Sequence, residues 1–324
     1  MASISPHVLV GNTSEISQPP TSGEQAFHRG FSALAMVCAA GIIVLVFAIV
    51  WEIARQALPA MAAQGLGFLS RGVWNASTNE FGILPEIWGT LYSSLLALLI
   101  GGFFGVTVAV FLTQDFLPAR LAAVFRTIVE MLAAIPSVVF GLWGIFVVIP
   151  LIRPGANWLH ETLGFIPFFG TSLSGPGLFP AALVLAIMIL PTVAAISQDA
   201  LHQIPYKVKE AAYGMGTTRW EAILKVLLPT ASGGIFSGLV LGFGRALGET
   251  MALAMLIGNA NQISLSLFAP ANTLASLMAS TFPEANGTER DALMYAGLVL
   301  LAVTLAVNII GSYLRSRTQR QDQS

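Results

Sequence analysis

Arg245 and Glu249 stand four residues apart inside the apolar run GGIFSGLVLGFGRALGETMALAMLIGN, residues 233–259. An arginine at the centre of an apolar helix costs about 2.5–3.5 kcal/mol even on the mild insertion scale, so such residues face a protein interior or a water-filled path and pair. A guanidinium keeps its charge and presents a rigid fork of N–H donors that matches oxyanions. On a helix, residues i and i+4 share a face. The spacing suits two readings: a structural pair that neutralises itself, or a polar point on an anion path, with Glu249 holding Arg245 and opposing leak. Glu130 is a second acid in apolar surroundings, and Pro136 in AAIPS interrupts the same run; both are weaker candidates for a structural or path role. No catalytic residues are expected. The four histidines, His7, His28, His160 and His202, are scattered, and no Ser/His/Asp or metal-ligand cluster shares a layer. The single cysteine, Cys38, gives neither a disulfide framework nor a thiolate metal site. No G-x-x-x-x-G-K-[ST] occurs, so the chain cannot cradle ATP itself. Gly242-x-Gly244 has Leu247 where a dinucleotide loop needs its third glycine.

These residues need elements to hold them, and the composition says which. Of 324 residues, 55% are hydrophobic and only 10% charged, against about 25% charged in ordinary soluble domains. Such a chain cannot cover itself with polar surface in water. That excludes a soluble enzyme, a disordered chain and a nucleic-acid binder, and leaves an all-α polytopic membrane protein. A bilayer span takes about 20 apolar residues. Runs of that kind lie at 31–51, 88–113, 125–150, 179–198, 234–258 and 293–314, which predicts six spans. The third is interrupted by Pro136 and the fourth by Pro191. Residues 1–28 read as a polar tail, and 29–324 as the transmembrane domain. With that tail inside, inner segments carry Arg29, Arg120, Arg126, Lys207, Lys209, Arg219, Lys225, Arg315, Arg317 and Arg320; outer loops carry Arg55, Arg71, Arg153 and Arg290. Basic residues favour the cytoplasmic side, so both termini are expected there. The outer loops 52–87, 151–178 and 259–292 carry Trp74 and Trp158, and Trp88 opens the second span, all at interface positions. Gly234, Gly238 and Gly242 recur every fourth residue, and Gly244 and Gly248 repeat the spacing; such stripes let helices approach closely. They predict a central place for the fifth span, packed against its neighbours or a partner permease.

The inner loop 199–233 is too polar to span and too patterned for a linker. Val208, Ala211 and Ala212 share a helical face. Gly214 and Gly216 break the pattern. Thr218 and Glu221 then have capping-box spacing, opening a second helix through Trp220, Ile223, Leu224 and Leu227 towards Pro229. Two short helices with a glycine bend form either a docking element or a helical pair lying flat on lipid.

Here the residues resemble a known family. Glu210-Ala211-Ala212, three residues, Gly216, nine residues and Val226-Leu227-Leu228-Pro229 are similar to the cytoplasmic E-A-A, Gly, I-x-L-P pattern of ABC importer permeases, with Val for Ile. GRALGETMA, AAIPSVVFGLWG and AAYGMGTTRWEA resemble the PstC-type permeases of phosphate importers; the G-E-T-A-P continuation more usual in PstA-type permeases is absent. The resemblance covers about residues 31–314. It implies a type I ABC importer permease of the bacterial inner membrane that is itself no enzyme. Glu210, Ala211, Ala212, Gly216 and Pro229 would dock on an ATPase, and Arg245 and Glu249 would be tied to transport. The implied partners are a PstA-like second permease, two PstB-like ATP-binding subunits that hold ATP-Mg, and an extracytoplasmic PstS-like phosphate-binding protein. Inorganic phosphate would be the cargo and lipid the surroundings, with no nucleic acid and no cofactor on this chain. Sulfate or molybdate stays open as cargo, and an ion-coupled secondary transporter as a different class.

Overall fold

The computed structural model describes residues 22–114 and 116–321. Most of the expected polar tail, residues 1–21, lies outside them, as do the side chains of Arg315, Arg317 and Arg320. The chain forms two compact units, one ending at Glu52 and one beginning at Ile53. Helix α1 spans Ser22–Gln64. It starts before the expected boundary at residue 29, because Glu24, Gln25 and Ala26 are good helix formers and no proline stands between Pro20 and Pro59. Phe31, Ile43 and Phe47 along its apolar stretch are exposed, as suits a helix against hydrocarbon.

The second unit opens with the end of α1, which continues into the expected outer loop. A short hairpin, β1 (Trp74–Asn75) with β2 (Glu80–Phe81), follows. Then come α2 (Leu84–Thr113), α3 (Ala119–Ala134), α4 (Ser137–Leu163), α5 (Leu178–His202), α6 (Tyr206–Gly214) and α7 (Arg219–Thr230). The last helices are α8 (Ser232–Leu247), α9 (Met251–Leu256), α10 (Leu274–Thr281) and α11 (Thr288–Gln321). Five of these, α1, α2, α4, α5 and α11, are long and apolar enough to cross a membrane; α7 and α8, bent by 70° at their junction, make a sixth if taken together.

Two expected spans are broken. The run 125–150 is not one kinked helix. The backbone turns extended at Ile135 and Pro136, α3 ends, and a new helix starts at Ser137. Proline lacks the N–H that would continue the ladder, and it pushes the preceding residue out of the helical region. Arg120, Arg126 and Glu130 also make α3 too polar to span. The crossing helix therefore extends outward to Leu163 and takes in Arg153 and Trp158, expected in a loop. The run 234–258 likewise stops after Leu247 and resumes at Met251, around Gly248, a weak helix former. Pro191, by contrast, is accommodated within α5.

Helix α5 is the centre of the unit. Leu185, Ile189, Val193, Ala194 and Ser197 are all buried. Glycines on two neighbours permit this. A Cβ on Gly101 of α2 would stand 2.5 Å from the Ala186 carbonyl, and one on Gly105 2.9 Å from Val193 Cβ. On α8, Gly234, Gly238 and Gly242 rest on Ala200, Ile196 and Val193. Gly244 faces Asn308 of α11 instead. The glycine stripe is thus used within the chain.

The acids are also redistributed. Glu130 is exposed rather than buried. Glu86, in the first turn of α2, is fully buried with neither carboxylate oxygen hydrogen-bonded.

Candidate functional site

The break between α8 and α9 decides what Arg245 and Glu249 can do. Arg245 is in the last turn of α8, and Glu249 lies beyond the helix end. The i, i+4 relation that would pair them needs continuous helix between them. No ion pair joins them. Arg245 Nη1 donates to Thr192 Oγ1 of α5 at 3.1 Å. Glu249 Oε1 accepts the Ala252 N–H at 3.3 Å and so caps the first turn of α9. Arg245 is exposed on the face it shares with Thr192. A guanidinium on an open helix face at this depth is too costly against lipid tails; that face requires water or protein.

Thr192 also lines a cavity of about 340 Å³ between α3 and α5. Arg126 and Glu130 enter it from α3, and Gln198, Asp199 and His202 from α5. Arg126 Nη2 lies 3.3 Å from His202 Nε2. Positions 192, 195, 199 and 202 follow helical spacing on one face, as do 126, 130 and 133. The sequence marks Arg126 for orientation only, leaves His202 among the scattered histidines and gives Thr192 no role. The polar stripe at the end of an otherwise apolar span was the available signal. Pro136 lies at the end of α3, where α4 begins.

The loop after α5 folds as the spacing predicted. Gly216 has φ +82°, a left-handed conformation that glycine adopts without steric cost. Thr218 and Glu221 form the reciprocal capping box. Hydrogen bonds from the Thr218 backbone and side chain, then Lys225, hold the Glu221 carboxyl low, at about 2. The element is anchored to the end of α2. Arg219 donates to the Gln114 carbonyl, and its guanidinium lies 4.2 Å over the Phe116 ring, which also packs on Phe111 and Trp220. Ile223 and Leu227 are buried beneath, with Val208 packed against the same cluster. Of the small face expected from Ala211 and Ala212, only Ala212 turns inward. Glu210 and Ala211 stay exposed, beside Tyr206 (72% exposed) and Met215 (85%). The projection thus ends in exposed apolar side chains.

Apolar spans, a polar cavity lined from two helices and a folded projection with exposed apolar side chains are the parts of a membrane permease. The chain belongs to the family described as binding-protein-dependent transport system inner membrane component, whose model matches residues 101–320, and it is accordingly a multi-pass inner-membrane protein. It is 40% identical over 289 residues to the phosphate transport system permease protein PstC of Pasteurella multocida (strain Pm70), covering 87% of this chain and 89% of that one. It is 38% identical over 300 residues to the PstC protein of Mesorhizobium japonicum, covering 90% and 89%. Among solved structures, a bacterial alginate ABC transporter in complex with an alginate-bound periplasmic protein matches with a TM-score of 0.61 at 18% identity, covering 90% of this chain and 96% of that one. The MetNI methionine ABC transporter matches with a TM-score of 0.54 at 21% identity, covering 73% and 95%. These two likenesses establish the ABC-importer permease fold.

Proposed function

We propose that the chain is the PstC-type permease subunit of an ATP-driven importer of inorganic phosphate. The observation that carries the reading is Arg245, exposed beside Thr192 on a face too polar for lipid and continuous with a polar cavity. A second, PstA-like permease covers this face, and the path runs between the two. The names of the relatives support phosphate as the ion. The projection 206–229 docks on one of two PstB-like subunits that bind ATP-Mg, and Glu210, Ala211 and Gly216 shape its contact. A PstS-like binding protein delivers the ion from outside. Both termini are cytoplasmic, in keeping with the basic inner loops.

When ATP closes the ATPase dimer, the docked projection moves as one piece, because Arg219, Phe116 and Trp220 tie it to α2. That movement opens the outer side and the ion passes to Arg245. The contact must be moderate, since a site has to release what it binds. The test is uptake of radiolabelled phosphate by the four-component complex in proteoliposomes, with sulfate and molybdate as competitors. Uptake that needs ATP and resists both competitors is expected. Preferential uptake of sulfate or molybdate overturns the choice of ion, and uptake driven by a proton gradient without ATP overturns the class.

A further inference from the structure

The cavity between α3 and α5 holds hydrogen-bond donors and carboxylate acceptors at close quarters. From this we infer that it is an exit-side waypoint that selects a protonated oxyanion, hydrogen phosphate over sulfate. The inference rests on the phosphate reading above and concerns a part of the path beyond Arg245.

The Arg126 guanidinium, the Gln198 amide and the Thr192 hydroxyl supply donors, and Glu130 and Asp199 supply two carboxylates; His202 Nε2 accepts from Arg126 and holds that guanidinium at the cavity. At about 340 Å³ the space is at the small-ligand end of the pocket range. His202 ends α5, and Thr192 is ten residues back along the same helix, about 15 Å at 1.5 Å per residue. An ion leaving Arg245 at Thr192 therefore passes through this cavity before it reaches the cytoplasmic end.

A site meant for any anion would leave the carboxylates out. An ionised carboxylate is an acceptor only. Sulfate near neutral pH carries no proton, so towards Glu130 and Asp199 it offers only like-charge repulsion. Phosphate at the same pH keeps one or two O–H groups. Its bare oxygens accept from Arg126 and Gln198, while its O–H groups donate to the carboxylates in charge-assisted bonds. Sites built to receive a substrate hydroxyl reject analogues that lack it, by about 10⁴–10⁵ when fully buried; this open cavity should discriminate less, on the order of tenfold. The same carboxylates offset Arg126, so the ion is held weakly enough to leave.

The test is equilibrium dialysis of radiolabelled phosphate against the assembled complex without its binding protein, in nanodiscs, at millimolar ion. R245A serves as a common background, so that binding reports the cavity. Phosphate should bind, and equimolar sulfate should displace only about a tenth of it, as a discrimination on the order of tenfold requires. R126Q should lose at least about tenfold in affinity and R126K should recover part of it, whereas E130Q/D199N should bind sulfate and phosphate alike. Equal displacement by sulfate in the parent, or unchanged binding in R126Q and E130Q/D199N complexes that still co-purify, overturns the waypoint. Wild-type phosphate uptake in proteoliposomes is measured in parallel. If it persists while the waypoint fails, the functional reading stands; if it is absent, that reading falls on its own.

Discussion

Arg245 is bonded to Thr192, not to Glu249: its Nη1 donates across the α8–α5 contact at 3.1 Å. The guanidinium thus keeps most of its donors free on an open face. Arg245→Ala should abolish phosphate uptake while the complex still assembles. Thr192→Val removes one hydrogen bond, worth about 0.5–1.5 kcal/mol, and should lower uptake only several-fold. Normal transport by Arg245→Ala in membranes refutes the path role.

Glu249 accepts a backbone N–H of α9, and an amide oxygen serves equally well there. Glu249→Gln should therefore retain uptake. Glu249→Leu loses the cap, at a cost of about 1 kcal/mol, and should lower the melting temperature of the complex. Loss of uptake in Glu249→Gln, with assembly intact, would give the charge a role in transport.

Gly216 sits at φ +82° with open space around it, so only its backbone constrains the residue there. Gly216→Asn should be tolerated, because asparagine visits the left-handed region. Gly216→Pro fixes φ near −65° and should uncouple ATP turnover from uptake, as Glu210→Arg should by placing a new charge at the docking tip. The ratio of phosphate imported to ATP hydrolysed reports both.

At Gly234 an added Cβ would stand 2.4 Å from Ala200 Cβ, whereas at Gly155 of α4 it meets nothing within 4 Å. Gly234→Ala should destabilise by about 1–3 kcal/mol through overpacking. Gly155→Ala should stabilise by about 0.5–1 kcal/mol through backbone entropy. Thermal melts of the purified complex separate the two.

The buried, unbonded carboxyl of Glu86 is a liability to the fold. Replacing such a group with an apolar side chain of similar shape relieves a desolvation cost of about 1–3 kcal/mol. Glu86→Met should therefore raise the melting temperature and leave uptake unchanged; a loss of uptake in an assembled complex would show that the acid serves transport.

The sequence by itself determined what depends on local or one-dimensional physics. Long apolar runs state that hydrocarbon surrounds the helices. The left-handed bend at Gly216 and the Thr218–Glu221 cap were legible because each is decided within a few residues. Pro136 marked a break, though not that the polar face of α3 would turn a kink into separate helices. Tertiary structure alone decided the partners of side chains. Ending α8 at Leu247 separates Arg245 from Glu249, and the glycine contacts that seat α8 on α5 bring Arg245 to Thr192, 53 positions away in the chain. The packing of α3 against α5 gathers Arg126, Glu130, Asp199 and His202 around one cavity. Periodicity shows that a helix has a polar stripe; only the facing helix shows what that stripe meets.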